Sequence, residues 1–524
     1  MDNRDVHEVI GGMGHWITRR AFYSGDHVAI IDGERRISYA EFDWRTDKLA
    51  SALRDRGVRQ GDRVASLQYN GAPFLELLFA TAKLGAIFVP INFRLAPPEI
   101  AYLLADSGAD IFVWSGPLSQ LAGDALRGEG VRVRLGVTVG GNPSDDEADY
   151  ETLLDSGAPA ALDMRVAGGD VAMLMYTSGT TGRPKGVMLT HDNLFWHAIN
   201  NLTTAGRGLR ETDRTVTVAP MFHIGALGVH TLPLFYVGGT VTVLPSFDPV
   251  QTLAAMANER ATVQFLVPTM WSALMSVPDF ETYDLSSLEL AVTGGAPCPL
   301  PVLEYFQGRG VPFQEGFGMT ETAPGVSLLD ADRVTEKSGS IGRPVFYVQT
   351  RIVDENDRDV PTGEVGELIL RGPNVFVGYW GLPEATAEAF RGGWFHTGDL
   401  GRVDDEGFIT LVDRKKDMII TGGENVYPIE VEQVLWRHQA VREVAVVGVP
   451  HPRWGETPIA VVAVEDGADV TGDELIGFAR ERLAHFKCPT RVEYVSELPR
   501  NATGKILKTA LRKEFGGDES SVHR

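Results

Sequence analysis

The chain has 524 residues and a formal net charge of −22, from 70 acidic against 48 basic side chains. That average field repels nucleic-acid polyanions, and 44% hydrophobic residues supply ample material for large cores. Two cysteines, Cys298 and Cys488, are too few for a disulfide framework or a cysteine metal cluster, which suits a reducing cytoplasm.

The N-terminal stretch MDNRDVHEVIGGMGHWITRR is charged throughout and does not read as a signal peptide. No run of about 18 uninterrupted apolar residues predicts a membrane span. From Arg63 to Asn92 the pattern predicts strand, helix, strand. VASLQ is strand-like, Ala72–Gly85 sets Leu75, Leu78, Phe79 and Ala82 on one helical face, and IFVPIN is strand-like again. Such a βαβ unit implies a parallel sheet. GGNPSDDEAD (140–149) reads as a surface loop. The runs VAMLMY (171–176), TVTVAP (215–220), TVTVLP (240–245), ATVQFLVP (261–268) and LELAVTGG (288–295) continue the theme. Each stops at Gly, Pro or Ser, where parallel sheets present loops to ligands.

After Val412 the composition shifts. DRKKD (413–417) is a dense charge run, followed by a helix opened by Pro428, the strands EVAVVGV and TPIAVVAV, the helix DELIGFARERLA and the strand RVEYV. These predict a separate α+β domain, with the boundary at Arg414 to Lys416 and domains 1–414 and 415–524.

YTSGTTGRPKGV (176–187) follows an apolar strand directly. Its glycines and hydroxyls make a loop able to cradle phosphate oxygens, with Lys185 adding a positive charge. A Walker A loop is excluded, because Gly186 stands where that motif needs Ser or Thr. The string resembles the signature loop of the adenylate-forming superfamily, which includes acyl-CoA synthetases, firefly-type luciferases and nonribosomal adenylation domains. The resemblance implies an α/β fold. A large N-terminal domain of parallel and mixed sheets flanked by helices, with a small β-barrel-like part, precedes a small mobile α+β C-terminal domain. It implies ATP, Mg²⁺ and coenzyme A as partners of a small carboxylic acid. Thr177, Ser178, Gly179, Thr180, Thr181, Gly182 and Lys185 then hold phosphates, with Thr177 also near the metal.

Companion motifs follow in order. EGFGMTE (315–321) resembles the adenine- and metal-binding stretch of the family. Phe317 offers a flat face to a purine beside Glu315 and Gly316, Thr320 a hydroxyl to phosphate, and Glu321 a hard carboxylate to Mg²⁺. Gly295, Ala296 and Pro297 resemble the turn against adenine. GGWFHTGDL resembles the ribose motif, with Asp399 accepting from the ribose hydroxyls and Arg414 on the other side. LPRNATGKILK resembles the C-terminal lysine motif, which makes Lys505 the catalytic ammonium between carboxylate and α-phosphate. Similarity extends from about Ser38 to Lys508.

In the family, rotation of the C-terminal domain admits a thiol for the second half-reaction, and Lys416 matches the hinge. Rotation brings Gly422 and Gly423 to the acyl site, where a thin pantetheine arm can pass, with Trp454 along the route. His223 resembles the aromatic gate between acid pocket and thiol tunnel, and is also a candidate catalytic group. Amino-acid-activating relatives carry Asp after that gate; here Ile224 follows, so an α-ammonium has no partner and an acid without an α-amine is expected. Phe222, Ile224, Leu227, Met270, Trp271, Gly318 and Met319 suggest a pocket for an apolar acid. IITGGENVYPIEVE most resembles bacterial fatty-acid CoA ligases, which favours a fatty acid over an aryl acid. Delivery to an acyl-carrier protein and a luciferase-like oxygenation of the adenylate stand as alternatives to the CoA thioester. A homodimer is left open.

Overall fold

The computed structural model describes residues 12–159, 165–177, 183–204, 207–415, 417–422, 424–465, 467–500 and 506–516. The predicted βαβ unit is present as the strand Arg63–Leu67, the helix Ala72–Leu84 and the strand Ile87–Pro90. Gly85 ends the helix in the left-handed region (φ 65°), where glycine carries no Cβ penalty. The helix is buried on nearly every side, not only on the expected face. Its one acid, Glu76, is fully buried because Arg45 grips it through two bonds of 2.5 and 3.0 Å and the Tyr150 hydroxyl donates to it at 2.7 Å.

These strands sit inside an eight-stranded sheet. Its order is Gly378–Tyr379, Lys185–Thr190, Val171–Thr177, Ile87–Pro90, Arg63–Leu67, Ile111–Ser115, Leu135–Val139 and Glu147–Asp149. Pairing is parallel except around Lys185–Thr190, which runs antiparallel to both neighbours. The segment read as a loop over 140–149 ends in that last short strand, and Asp149 then caps the next helix by accepting from Thr152 N–H. A polar edge strand carries little apolar signal, which is why its sequence reads as loop.

A second sheet orders Val263–Leu266, Leu290–Gly294, Phe313–Gly318, Gly325–Leu329 and Arg343–Pro344, and a third orders Arg214–Thr217, Thr240–Val243, Val28–Asp32 and Arg35–Ser38. The predicted runs at 215–220, 240–245, 261–268 and 288–295 all become strands, each ending before its terminal Pro or Gly pair is complete. Trp271 lies wholly in the core, ringed by Phe306 and Phe313 at 4.8 and 5.0 Å, and so is corrected from pocket wall to core.

By compactness the chain forms two units. One holds the described residues up to Thr350 with Leu370–Phe395; the other holds Arg351–Ile369 with the described residues from His396 onward. In the second unit, Val441–His451 and Gly455–Val464 pair antiparallel and are apolar on both faces. Val444, Val446, Ala460 and Val462 pack with Val431 and Leu475 of two helices, while Ala445, Val447, Ile459 and Val461 pack with Leu511 of the helix Lys508–Phe515. A strand apolar on both sides needs both sides covered, and this one has both. Among the described residues no helix is long and apolar enough to cross a membrane.

Candidate active site

The strand Val171–Thr177 carries the start of the glycine-rich loop, and the antiparallel register sets Thr177 opposite Lys185. The two ends of that loop are therefore held one strand apart. Ser178, Gly179, Thr180, Thr181 and Gly182 lie outside the described residues. Lys185 Nζ stands 5.1 Å from the ring centroid of Tyr379, and the Tyr379 hydroxyl donates to Glu321 Oε1 at 3.1 Å. Tyr379 reaches this position because its short strand pairs with Lys185–Thr190, opposite Val187. Glu321 is also held by its backbone, whose carbonyl accepts from Phe376 N–H at 2.8 Å. Lys185, Tyr379 and Glu321 thus form one chain of contacts, of which sequence reading finds only the two ends.

Thr320 and Glu321 sit in a tight turn, Thr320–Thr322, at the end of the strand Phe313–Gly318. The following chain returns so closely that a Cβ on Gly318 would lie 1.9 Å from Pro324 O, so only glycine fits there. The neighbouring parallel strand brings Gly294 opposite Gly316. Gly295, Ala296 and Pro297 emerge exposed from that strand, beside half-buried Phe317. This is the carboxyl edge of a parallel pair, where open α/β sheets take their ligands.

Glu315 is 8% exposed and its Oε1 accepts from Cys298 N–H at 3.1 Å. Burial pushes its carboxyl up to about 7, against a smaller lowering by that bond. Burial, reinforced by Glu315, pushes the Cys298 thiol up to about 12, so it stays an unreactive thiol at neutral pH. Because folding raises the Glu315 pKa, its stabilising contribution is full below 4.5 and is lost as pH rises through about 7. Glu315→Gln is expected to stabilise the protein by about 3 kcal/mol at pH 8, from a pKa moved from 4.5 to about 7, and by much less at pH 5. Thermal unfolding at both pH values checks this; an equal change at both refutes it.

On the acid side, Phe222 and Ile224 are buried at 7% and 5% exposure, and His223 is half-buried between them. Phe222 stacks edge-on to Phe93 at 5.1 Å and tilts against the His223 ring at 4.5 Å. His223 precedes the turn Ile224–Ala226, which runs straight into a π-helical turn, Leu227–Thr231. Leu227 is buried, while Met270 and Met319 are half-buried.

In the second unit, Asp399 and Arg414 face each other across paired strands, and Arg414 Nε donates to Asp399 Oδ1 at 2.6 Å. Glu367 supports this pair by accepting from Gly398 N–H at 3.2 Å and Lys415 Nζ at 3.1 Å. Burial raises the Glu367 pKa, but Lys415 and His396 outweigh it and the net shift is downward. Gly422 takes a left-handed conformation (φ 60°), and its N–H donates to the Trp454 carbonyl at 2.9 Å. Trp454 is not core: it is 40% exposed and stacks on His451 at 4.3 Å. Lys416, Gly423 and Lys505 lie outside the described residues.

The AMP-binding enzyme family model matches residues 17–380, and the AMP-binding enzyme C-terminal domain model matches 430–505. Feruloyl-CoA synthases of Amycolatopsis sp and Streptomyces sp are 46% identical over 505 residues, covering 96% of this chain and 99% of theirs. A long-chain-fatty-acid–CoA ligase of Mycobacterium tuberculosis is 36% identical, covering 92% of this chain and 93% of its own. The crystal structure of the anthranilate CoA ligase AuaEII in complex with anthranoyl-AMP superposes with a TM-score of 0.87 at 28% identity, covering 96% of this chain and 97% of that one. With both family models matched in order along the chain and relatives 46% identical over nearly its whole length, the chain belongs to the AMP-binding enzyme family of adenylate-forming enzymes and is an acid–thiol ligase, joining an acid to coenzyme A through an acyl-adenylate.

Proposed function

We propose that this ligase takes an apolar acid without an α-amine, an arylpropenoate of the ferulate kind ahead of a fatty acid. The observation that carries the first part is Ile224, buried at 5% exposure beside the half-buried His223. A substrate ammonium there would lose its water and gain no partner. The aryl preference draws on the relatives: the feruloyl-CoA synthases stand at 46% identity against 36% for the fatty-acid ligase. The fatty-acid preference expected from IITGGENVYPIEVE finds no support in these identities. The aromatic pair Phe93 and Phe222 suits a ring by edge-to-face contact.

In the first half-reaction a carboxylate oxygen attacks the α-phosphorus of ATP and pyrophosphate leaves. Lys185 and the loop 177–182 hold the leaving phosphates, Lys505 bridges carboxylate and α-phosphate, and Asp399 with Arg414 orients the ribose. Thr320 holds the α-phosphate, and adenine lies between Phe317 and Gly295–Pro297, beside Glu315 and Gly316. Mg²⁺ fits the donor set: Glu321 offers a carboxylate and Thr177 a hydroxyl, both hard oxygens, and Mg²⁺ usually binds one or two carboxylates plus substrate phosphates. When bound it neutralises charge on the phosphates.

In the second half-reaction the thiol of coenzyme A attacks the acyl carbon, AMP leaves and the thiol proton goes to solvent. Residues 415–524 turn about Lys416 as a body separate from 1–414, bringing Gly422, Gly423 and Trp454 to the pantetheine arm, and His223 gates its entry. A cytoplasmic enzyme, with Cys298 and Cys488 as free thiols, fits this reading. Its assembly as a homodimer is checked by sedimentation.

The test is CoA-dependent AMP release with ferulate, cinnamate, fatty acids of graded length and amino acids. The expected result is a kcat/KM for arylpropenoates at least about tenfold above any fatty acid, with amino acids inert. Fatty acids turning over fastest would refute the aryl reading. Acid-dependent pyrophosphate exchange without CoA turnover would redirect the acceptor to a carrier protein, and oxygen uptake to a luciferase-like reaction.

A further inference from the structure

The helix His191–Thr204 carries His197, which no step above uses. Its ring is 4% exposed and lies between two backbone segments. Nδ1 faces Gly325 N–H at 3.3 Å, and Nε2 faces the Gly228 carbonyl at 2.8 Å. A backbone N–H only donates and a carbonyl only accepts, so one tautomer serves both: Nδ1 bare, Nε2 protonated. Burial holds its pKa down at about 4, so the ring is neutral in ordinary buffers. The Asn201 side-chain amide also meets Nε2 at 2.7 Å from the next turn of the helix; its NH2 group only donates, so it suits a protonated Nε2 only with the amide turned to bring Oδ1 to the ring.

The two segments are those that meet at the acid pocket. Gly228 lies in the π-helical turn directly after His223–Ala226, and Gly325 follows the Thr320–Thr322 turn. Little slack exists between them. A Cβ on Gly228 would lie 2.3 Å from Pro324 Cδ, and a Cβ on Gly325 would lie 3.0 Å from His197 Cε1. A π-helical turn is rare and, where it interrupts an α-helix, frequently stands at a functional site.

We propose that His197 is a positioning residue: its neutral imidazole clamps the 223–231 segment to the Thr320–Pro324 turn and so fixes the width of the acid pocket. The inference rests on reading His223–Ile224 as the acid side of the site. Asparagine can imitate Nδ1 and glutamine Nε2, so His197→Asn keeps the bond from Gly325 and loses that to Gly228, and His197→Gln does the reverse. The expected result for His197→Asn is an acid KM raised about tenfold with ATP KM within about twofold. His197→Gln is expected to raise ATP KM about tenfold instead, because the Glu321 turn loosens. Hydrogen exchange, read without any substrate, is expected to quicken in peptides over 224–231 in the first variant and over 320–326 in the second. Unchanged kinetic constants with only a lower Tm, or the same change in both variants, would overturn the clamp. If the wild-type chain turned over no acid, the function reading would fall, and hydrogen exchange would still decide the clamp.

Discussion

Replacing Lys505 by alanine is expected to lower acid-dependent pyrophosphate exchange by about 10²–10³-fold, while leaving thioester formation from supplied acyl-adenylate largely intact. A carboxylate approaching the α-phosphate is anion meeting anion, and a mobile ammonium between them stabilises the charge as it redistributes. The chain just after Lys505 is firmly based. Lys508 pairs with Glu432 at 2.7 Å, Arg512 pairs with Asp417 at 2.7 Å, and Leu511 is fully buried. Lys416→Pro is expected to do the opposite, sparing adenylation and slowing thioester formation, because proline fixes φ at the turning point. Loss of adenylation alone in both variants would refute the rotation.

Asp399→Ala is expected to raise the KM for ATP at least about tenfold with little change for the acid, since the role proposed for this carboxylate is to accept from the two ribose hydroxyls and not to meet the acid. Arg414→Ala is expected to act on nucleotide affinity and stability together. Its partner Asp399 is only 4% exposed on its side chain while Arg414 is 38% exposed. Removing the arginine takes a charged partner from a buried acid, at a cost of about 1–3 kcal/mol, whereas removing the aspartate leaves a cation that water still reaches. Tm should therefore fall more for Arg414→Ala than for Asp399→Ala, and the reverse order would show that the pair is not held as described. Nucleotide affinity unchanged in both would refute the ribose role.

Much of the fold is legible because its signals are local. Strand runs such as VAMLMY and helix starts such as Pro428 announce themselves within a few residues, and each became the element expected. The nucleotide motifs stand out for the same reason, since each is written within a few consecutive residues. What stays hidden is what distant segments do to one another. Tyr379 gives no sign in sequence that it will bridge Lys185 and Glu321, because strand pairing alone delivers it. Trp271 reads as pocket lining and is core, because which apolar face turns inward is decided by Phe306 and Phe313. Trp454 gives no sign in sequence of its 40% exposure or its stacking on His451. Glu315 looks like any acid of its motif until burial raises its pKa to about 7.

The C-terminal sheet, apolar on both faces and roofed on each by its own helices, draws both of its cores from Ile419 onward. Such a body is portable. Its interior residues answer to one another, so substitutions outside it need not disturb them. Selection can then rework which acid is taken while the machinery that activates it is inherited whole, which is how one chemistry spreads over many acids.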